Sequence, residues 1–214
     1  MCGRFVLFSE SLLDAVGDLP GITETHAPDG LPGPRYNIAP TQMVAVVRVQ
    51  ESLAQVDPAR WGLIPQWKKD LDGPPLFNAR AETVASKPSF RAAFKSQRCL
   101  IPLDGYYEWH KDDDGGKTPH FVQHDGMLWA AGLWETGLDR LSATMVTTEA
   151  TEEMAWLHGR LPLFLQPAEV RTWLEGTPDD AATLLEPSRL RGFQTRPVDK
   201  AVGNVRNDYP ELIA

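Results

Sequence analysis

The chain has 214 residues, 42% hydrophobic and 23% charged, which excludes a disordered chain and leaves room for one domain, expected to span residues 1–214. No apolar run approaches the roughly 18–20 residues that cross a bilayer, and the two cysteines, Cys2 and Cys99, are no disulfide framework. Taken in bulk, the net charge of −8 argues against a nucleic-acid partner.

Ser9–Val16 reads as a short helix capped by Ser9. Residues 18–35 are punctuated by prolines and glycines and follow neither the helical nor the strand period. Strand-like runs occupy Met43–Val49, Arg98–Ile101, Tyr106–Trp109, Pro119–Gln123, Met127–Leu133 and Ser142–Thr147, with Asp112-Asp113-Asp114-Gly115-Gly116 as a hairpin connection. Helical signals lie at Ser89–Lys95, Thr151–Leu157, Pro167–Leu174 and Thr177–Leu185, the last with Thr177 as cap, and Phe193–Val198 reads as a late strand. Central strands, marginal helices and no βαβ alternation predict an α+β fold around a curved, mostly antiparallel sheet.

Position 2 carries the sharpest chemical signal. Removal of Met1 would leave Cys2 with a free α-amine beside its thiol. The amine, with a reference pKa of about 7.7–8.0, is partly neutral at pH 7, and the thiol ionises near 8.5. Toward an aldehyde, the amine condenses to an imine and the thiol closes on the same carbon to give a five-membered thiazolidine. A buried small thiol would also explain a lone cysteine. The proton transfers call for a carboxylate and an imidazole, and Glu108 and His158 are the candidates. Glu108 stands among aromatics, where burial raises a carboxyl pKa, although an ion pair with an arginine would equally explain it. His158 follows a predicted helix and could be a helix-end cation. His120 and His124 are expected to lie about 13 Å apart along a strand, too far to share an ion, so no metal and no cofactor is expected.

The charge is unevenly distributed. From Arg60 to Arg98 there are eight Lys/Arg against three acids, a net +5 that leaves −13 for the rest. A local basic segment can meet phosphates on an acidic protein, though a solvated face is the plainer explanation. Near it, Trp61, Trp67 and Trp109 are candidate stacking surfaces, with Asn37, Asn78 and Arg80 as polar and phosphate contacts; each tryptophan would also suit a core.

Seven motifs occur in register: Met1-Cys2-Gly3-Arg4-Phe5, Arg35-Tyr36-Asn37-Ile38-Ala39-Pro40-Thr41, Arg60-Trp61-Gly62-Leu63-Ile64-Pro65, Phe77-Asn78-Ala79-Arg80-Ala81-Glu82-Thr83, Gly105-Tyr106-Tyr107-Glu108-Trp109, His158-Gly159-Arg160-Leu161-Pro162 and Ala201-Val202-Gly203-Asn204-Val205. Together they resemble the SOS response-associated peptidase family of abasic-site processing proteins. The resemblance implies a barrel-like β core with peripheral helices and a groove for single-stranded DNA. It further implies a protein that captures abasic deoxyribose as a thiazolidine DNA–protein crosslink and shields the lesion during replication. Cys2 would be the nucleophile, Asn78 would position the sugar, and Glu108 and His158 would move protons, His158 with a share in crosslink reversal; lyase-type cleavage is a further activity the resemblance implies for the protein. Arg4, Arg80 and Arg160 would bind phosphates; Pro40, Trp67 and Trp109 would meet bases, with Asn37 and Thr147 as polar support. Lys68 stands where relatives often carry an aromatic, so a phosphate contact there would replace stacking, and Leu161 stands where methionine is common. A hydrolase or protease role, in which the same residues remove Met1, is the older view of the family. The rival class is an N-terminal-nucleophile cysteine amidohydrolase. The expected setting is cytoplasmic, nucleoid-associated on DNA; the expected protein is a monomer, off the membrane, with a replication-machinery partner left open.

Overall fold

The computed structural model describes residues 2–214; Met1, on whose removal the aminothiol chemistry depends, lies outside them. The first half of the chain supplies β1 (Phe5–Leu7), α1 (Leu12–Gly17), β2 (Glu24–His26), β3 (Arg35–Ile38), β4 (Met43–Gln50), β5 (Leu53–Trp61), β6 (Asn78–Arg80), α2 (Ala81–Val84) and α3 (Arg91–Ser96). The second supplies β7 (Arg98–Leu103), β8 (Gly105–Lys111), β9 (Lys117–Gln123), β10 (Leu128–Gly137), β11 (Arg140–Glu149), β12 (Arg160–Pro162), α4 (Pro167–Glu175), α5 (Pro178–Ala182) and β13 (Gln194–Pro197), with 3-10 turns at Lys200–Gly203 and Pro210–Ile213.

Two sheets form. One runs β12-β11-β10-β7-β4-β5-β2, and an additional β11–β5 pairing closes five of these strands into a ring. The other runs β13-β9-β8-β1-β3. The closing contact is parallel, with Ser142 opposite Arg60 and Ala143 opposite Trp61, and β6 then takes over the same edge of β11, Met145 opposite Asn78. The α+β expectation and its curved, mostly antiparallel, barrel-like core therefore hold. One buried cluster draws on residues from Cys2 to Phe193 and fills the ring with Trp61, Leu100, Ile101, Met145 and their neighbours. A smaller cluster, built on Val6, Tyr107, Phe121, Val202 and Leu212, seals the outer face of the second sheet. At Gly105 any Cβ would stand 2.4 Å from the Phe121 ring, so β8 can lie this close to β9 only with glycine there. Among the described residues, no helix is long and apolar enough to cross a membrane.

Three local expectations need correction. Ser9 does not cap α1: its backbone N–H donates to Asp104 Oδ2 at 2.8 Å and its hydroxyl to Oδ1, while Ser11 holds the N-cap position. Thr151–Leu157 is a run of turns rather than a helix. It joins two strands that pair antiparallel, Glu149 opposite Arg160, and the Ala150 N–H donates to the Gly159 carbonyl at its neck. The chain must therefore reverse within this stretch, which buries Met154 and Leu157 and leaves Trp156 exposed. Trp61, read as a stacking candidate, is wholly buried; its Nε1–H donates to the Phe77 carbonyl at 2.9 Å and its ring meets Phe5 edge-on.

Candidate active site

The site is assembled where β1 enters its sheet. Phe5 pairs with Tyr106, and the Tyr107 N–H donates to the Arg4 carbonyl at 2.9 Å, so the N-terminal residues run back alongside β8 toward Glu108. Cys2 is thereby fully buried. Asn78, placed by the β6–β11 pairing, donates its Nδ2–H to the Cys2 carbonyl at 2.8 Å. Its Oδ1 is buried and accepts no hydrogen bond among the described residues. A buried acceptor left unmet costs about 1–3 kcal/mol, so this oxygen is ready for an amine or hydroxyl donor.

Burial pushes the Cys2 thiol well above its ordinary range, and the nearby Glu108 charge pushes it the same way. The sulfur is therefore protonated at neutral pH, with the Arg4 carbonyl 3.8 Å away. Tyr106, also buried, has its phenol raised first by burial and then by Cys2 and Glu108, which places all three in one electrostatic neighbourhood. Glu108 is itself buried, and strand alternation puts it on the same face of β8 as Tyr106. The Arg160 N–H donates to His158 Nδ1 at 2.9 Å. That bond makes Nδ1 the acceptor and leaves the proton of the neutral ring on Nε2, whereas a longer 3.3 Å approach to the Arg160 carbonyl would require the opposite tautomer.

The expected DNA-contact residues divide by what they already hold. Arg4 Nη1 donates to Asn37 Oδ1 at 2.9 Å and to the Val202 carbonyl at 2.6 Å, and Nη2 donates to the Gly203 carbonyl at 3.2 Å. Asn37 is fully buried, and its Nδ2 donates to the carbonyls of Val202, Asn204 and Asn207. These two residues form a clasp on the C-terminal segment; Asn37 gives support from inside and does not reach solvent. Arg160 donates from Nη1 to Glu82 Oε1 at 2.5 Å and from Nη2 to the buried Thr147 carbonyl at 2.7 Å. The bond to Arg160 holds the Glu82 carboxyl below its usual range.

Arg80 is exposed at the end of β6. Trp67 is 64% exposed on the loop between β5 and β6, whereas Trp109 is half-buried with the Arg4 guanidinium 5.9 Å from its ring centre. Lys68 Nζ donates to the Asp72 carbonyl at 2.7 Å, folding that loop on itself. Pro40 is half-buried in the turn between β3 and β4. For Tyr106 and Glu82 the only signal in the sequence is their position inside the Gly105–Trp109 and Phe77–Thr83 motifs.

The comparisons with known proteins converge. The family described as SOS response associated peptidase (SRAP) matches residues 1–205. The abasic site processing protein YoqW of Bacillus subtilis is 36% identical over all of this chain and 99% of its own length. The abasic site processing protein YedK of Escherichia coli is 34% identical over all of this chain and 99% of its own. A crystal structure of a Bacteroides thetaiotaomicron protein shares the fold with a TM-score of 0.81, covering 99% of this chain and 98% of that one at 20% identity.

Proposed function

Because the chain belongs to the SOS response associated peptidase family, we propose that it processes abasic sites in single-stranded DNA by capturing the sugar aldehyde on Cys2. The observation that carries this reading is the buried Cys2, held at its carbonyl by Asn78 and sharing a charge neighbourhood with Glu108.

Once Met1 is removed, the Cys2 amine attacks the aldehyde carbon of the ring-opened deoxyribose. A carbon–nitrogen bond forms, and the carbinolamine loses its oxygen as water. The thiol then adds to the imine carbon; a carbon–sulfur bond forms and the thiol proton passes to nitrogen, so the net loss is one water. A protonated sulfur fits this order, since the amine acts first and the thiol arrives with the proton that the ring nitrogen needs. Glu108 takes the amine proton. His158, with its proton on Nε2, donates to the leaving or ring oxygen. Asn78 Oδ1 orients the amine or the sugar hydroxyl. Both nucleophiles and the acid–base groups belong to the chain, so the reaction needs no cofactor. Arg80, together with Arg160 after it exchanges Glu82 for phosphate, holds the strand, and Trp67 and Pro40 meet unstacked bases. Removal of Met1 is the maturation step this reading requires.

A single-stranded oligonucleotide with one abasic site, mixed with the protein and run on a denaturing gel, tests the reading. A heat-stable shifted band that disappears in Cys2→Ala is expected. Reversible binding alone, unchanged in Cys2→Ala, would overturn it.

A further inference from the structure

Beyond Glu108, the same face of β8 carries His110, and across the ladder on β9 stands His120, in register with Glu108. Strand geometry puts His110 about 7 Å along β8 from Glu108. The turn that carries His158 brings Trp156 onto this pair. The His110 Nδ1–H donates to the Trp156 carbonyl at 3.0 Å. The indole lies 5.4 Å from the His110 ring, tilted by 51°, and 5.4 Å from the His120 ring, edge to face at 84°. His120 is fixed in turn by a 3.1 Å bond from Nδ1 to the Thr118 carbonyl. Although braced on one side by two imidazoles, the indole remains 49% exposed.

We propose that this shelf is a stacking site for one unpaired nucleobase, that of the nucleotide next to the captured sugar on the same DNA strand. The inference rests on the function proposed above and extends its binding path away from Trp67. Continuity names the occupant. The shelf prolongs the β8 face that bears Glu108, and its tryptophan stands two residues before His158, which gives a strand with its sugar at Cys2 a continuous surface to this edge. A braced, half-exposed indole offers what single-strand binders use, since every base has a π-face and stacking requires no sequence.

The test measures affinity for single-stranded oligonucleotides carrying tetrahydrofuran, a ring-closed abasic analogue without an aldehyde, flanked either by normal bases or by a second tetrahydrofuran on the 5′ or the 3′ side. Trp156→Ala should weaken binding by about 5- to 150-fold, the span of base–aromatic stacking, while Trp156→Phe retains most of the affinity. The loss should vanish when the base on one particular side is removed. In the wild-type protein, 2-aminopurine on that side should be quenched on binding, which reads stacking without any variant. Equal affinity of Trp156→Ala and wild type, an equal loss on every oligonucleotide, or unquenched 2-aminopurine on both sides would overturn the shelf. Crosslinking of the wild-type protein to a true abasic site is scored separately and judges only the parent reading.

Discussion

Cys2 is buried, and burial with the Glu108 charge keeps its sulfur protonated, so the thiol is a poor first nucleophile at neutral pH. In the proposed reaction this leaves the opening attack to the amine. Cys2→Ser, which keeps the amine and exchanges the sulfur, should still form an imine that borohydride traps, but no heat-stable adduct without the reductant. A heat-stable adduct in Cys2→Ser would remove the sulfur from the account. Glu108→Gln and His158→Ala should each slow adduct formation by about 10²-fold if the residue moves a proton in the slow step, with affinity for the tetrahydrofuran oligonucleotide kept. Cys2, Glu108 and His158 are candidates by residue type and position, whereas Asn78 enters as a catalytic candidate through the family resemblance. Asn37 could not be placed in the same way: nothing in the string distinguishes an asparagine on DNA from one clasping three carbonyls inside the fold. Asn37→Ala should therefore cost about 2–3 kcal/mol in urea unfolding, from buried carbonyls left unmet. A surface contact residue would cost almost nothing.

Most of the strands, both sides of the β8–β9 hairpin and the Thr177 cap follow from pattern, and α5 is capped as expected, with Thr177 accepting from Asp180 N. β5 does not follow from pattern. Its Asp57 and Pro58 read against a strand, yet Asp57 is buried, paired with the Arg48 guanidinium at 2.7 Å and accepting a hydrogen bond from Gln55 Nε2 at 2.7 Å within the same sheet. Its turn is equally disguised. Glu51 and Ser52 link Gln50 to Leu53 with φ of 51° and 68°, and Leu138 and Asp139 link Gly137 to Arg140 with φ of 52° and 54°. Two-residue hairpins with positive φ at both positions favour Asn-Gly, so neither pair announces a turn. Replacing Glu51-Ser52 with Asn-Gly should stabilise the protein by about 1 kcal/mol, because L-residues other than asparagine are penalised in the left-handed region. An unchanged urea midpoint would mean that the turn carries no such cost. The Thr151–Leu157 expectation failed because apolar spacing is local, whereas the β11–β12 pairing that bends the segment is not.

At the scale of the molecule, two thiols are held protonated by the fold. Burial raises both Cys2 and Cys99, the second despite the opposing Arg48 charge. The unfolded chain loses those protons near pH 8.5, while the fold retains them. Stability from these groups is therefore complete below about 8.5 and falls as pH rises above it. Melting temperature should drop between pH 8 and 10, and more shallowly in Cys99→Ala; an identical slope in the variant would contradict the assignment. The −8 net charge misleads only when taken in bulk, because the basic segment brings Arg80 to the exposed end of β6 beside the site. Arg80→Ala should weaken DNA binding and reduce the slope of log affinity against log salt by about 0.7, the value for one phosphate on a single strand.

The central claim is that Cys2 acts through its amine and thiol together on the aldehyde of an abasic sugar. Intact-mass analysis of the protein with Met1 removed, and with an uncleavable residue retained before Cys2, each mixed with abasic single-stranded DNA, tests it most directly. The account predicts one adduct, at the summed masses of protein and DNA less one water, for the form that begins at Cys2 and none for the extended form. An adduct of equal yield on the extended form, whose α-amine no longer lies beside the thiol, would contradict it.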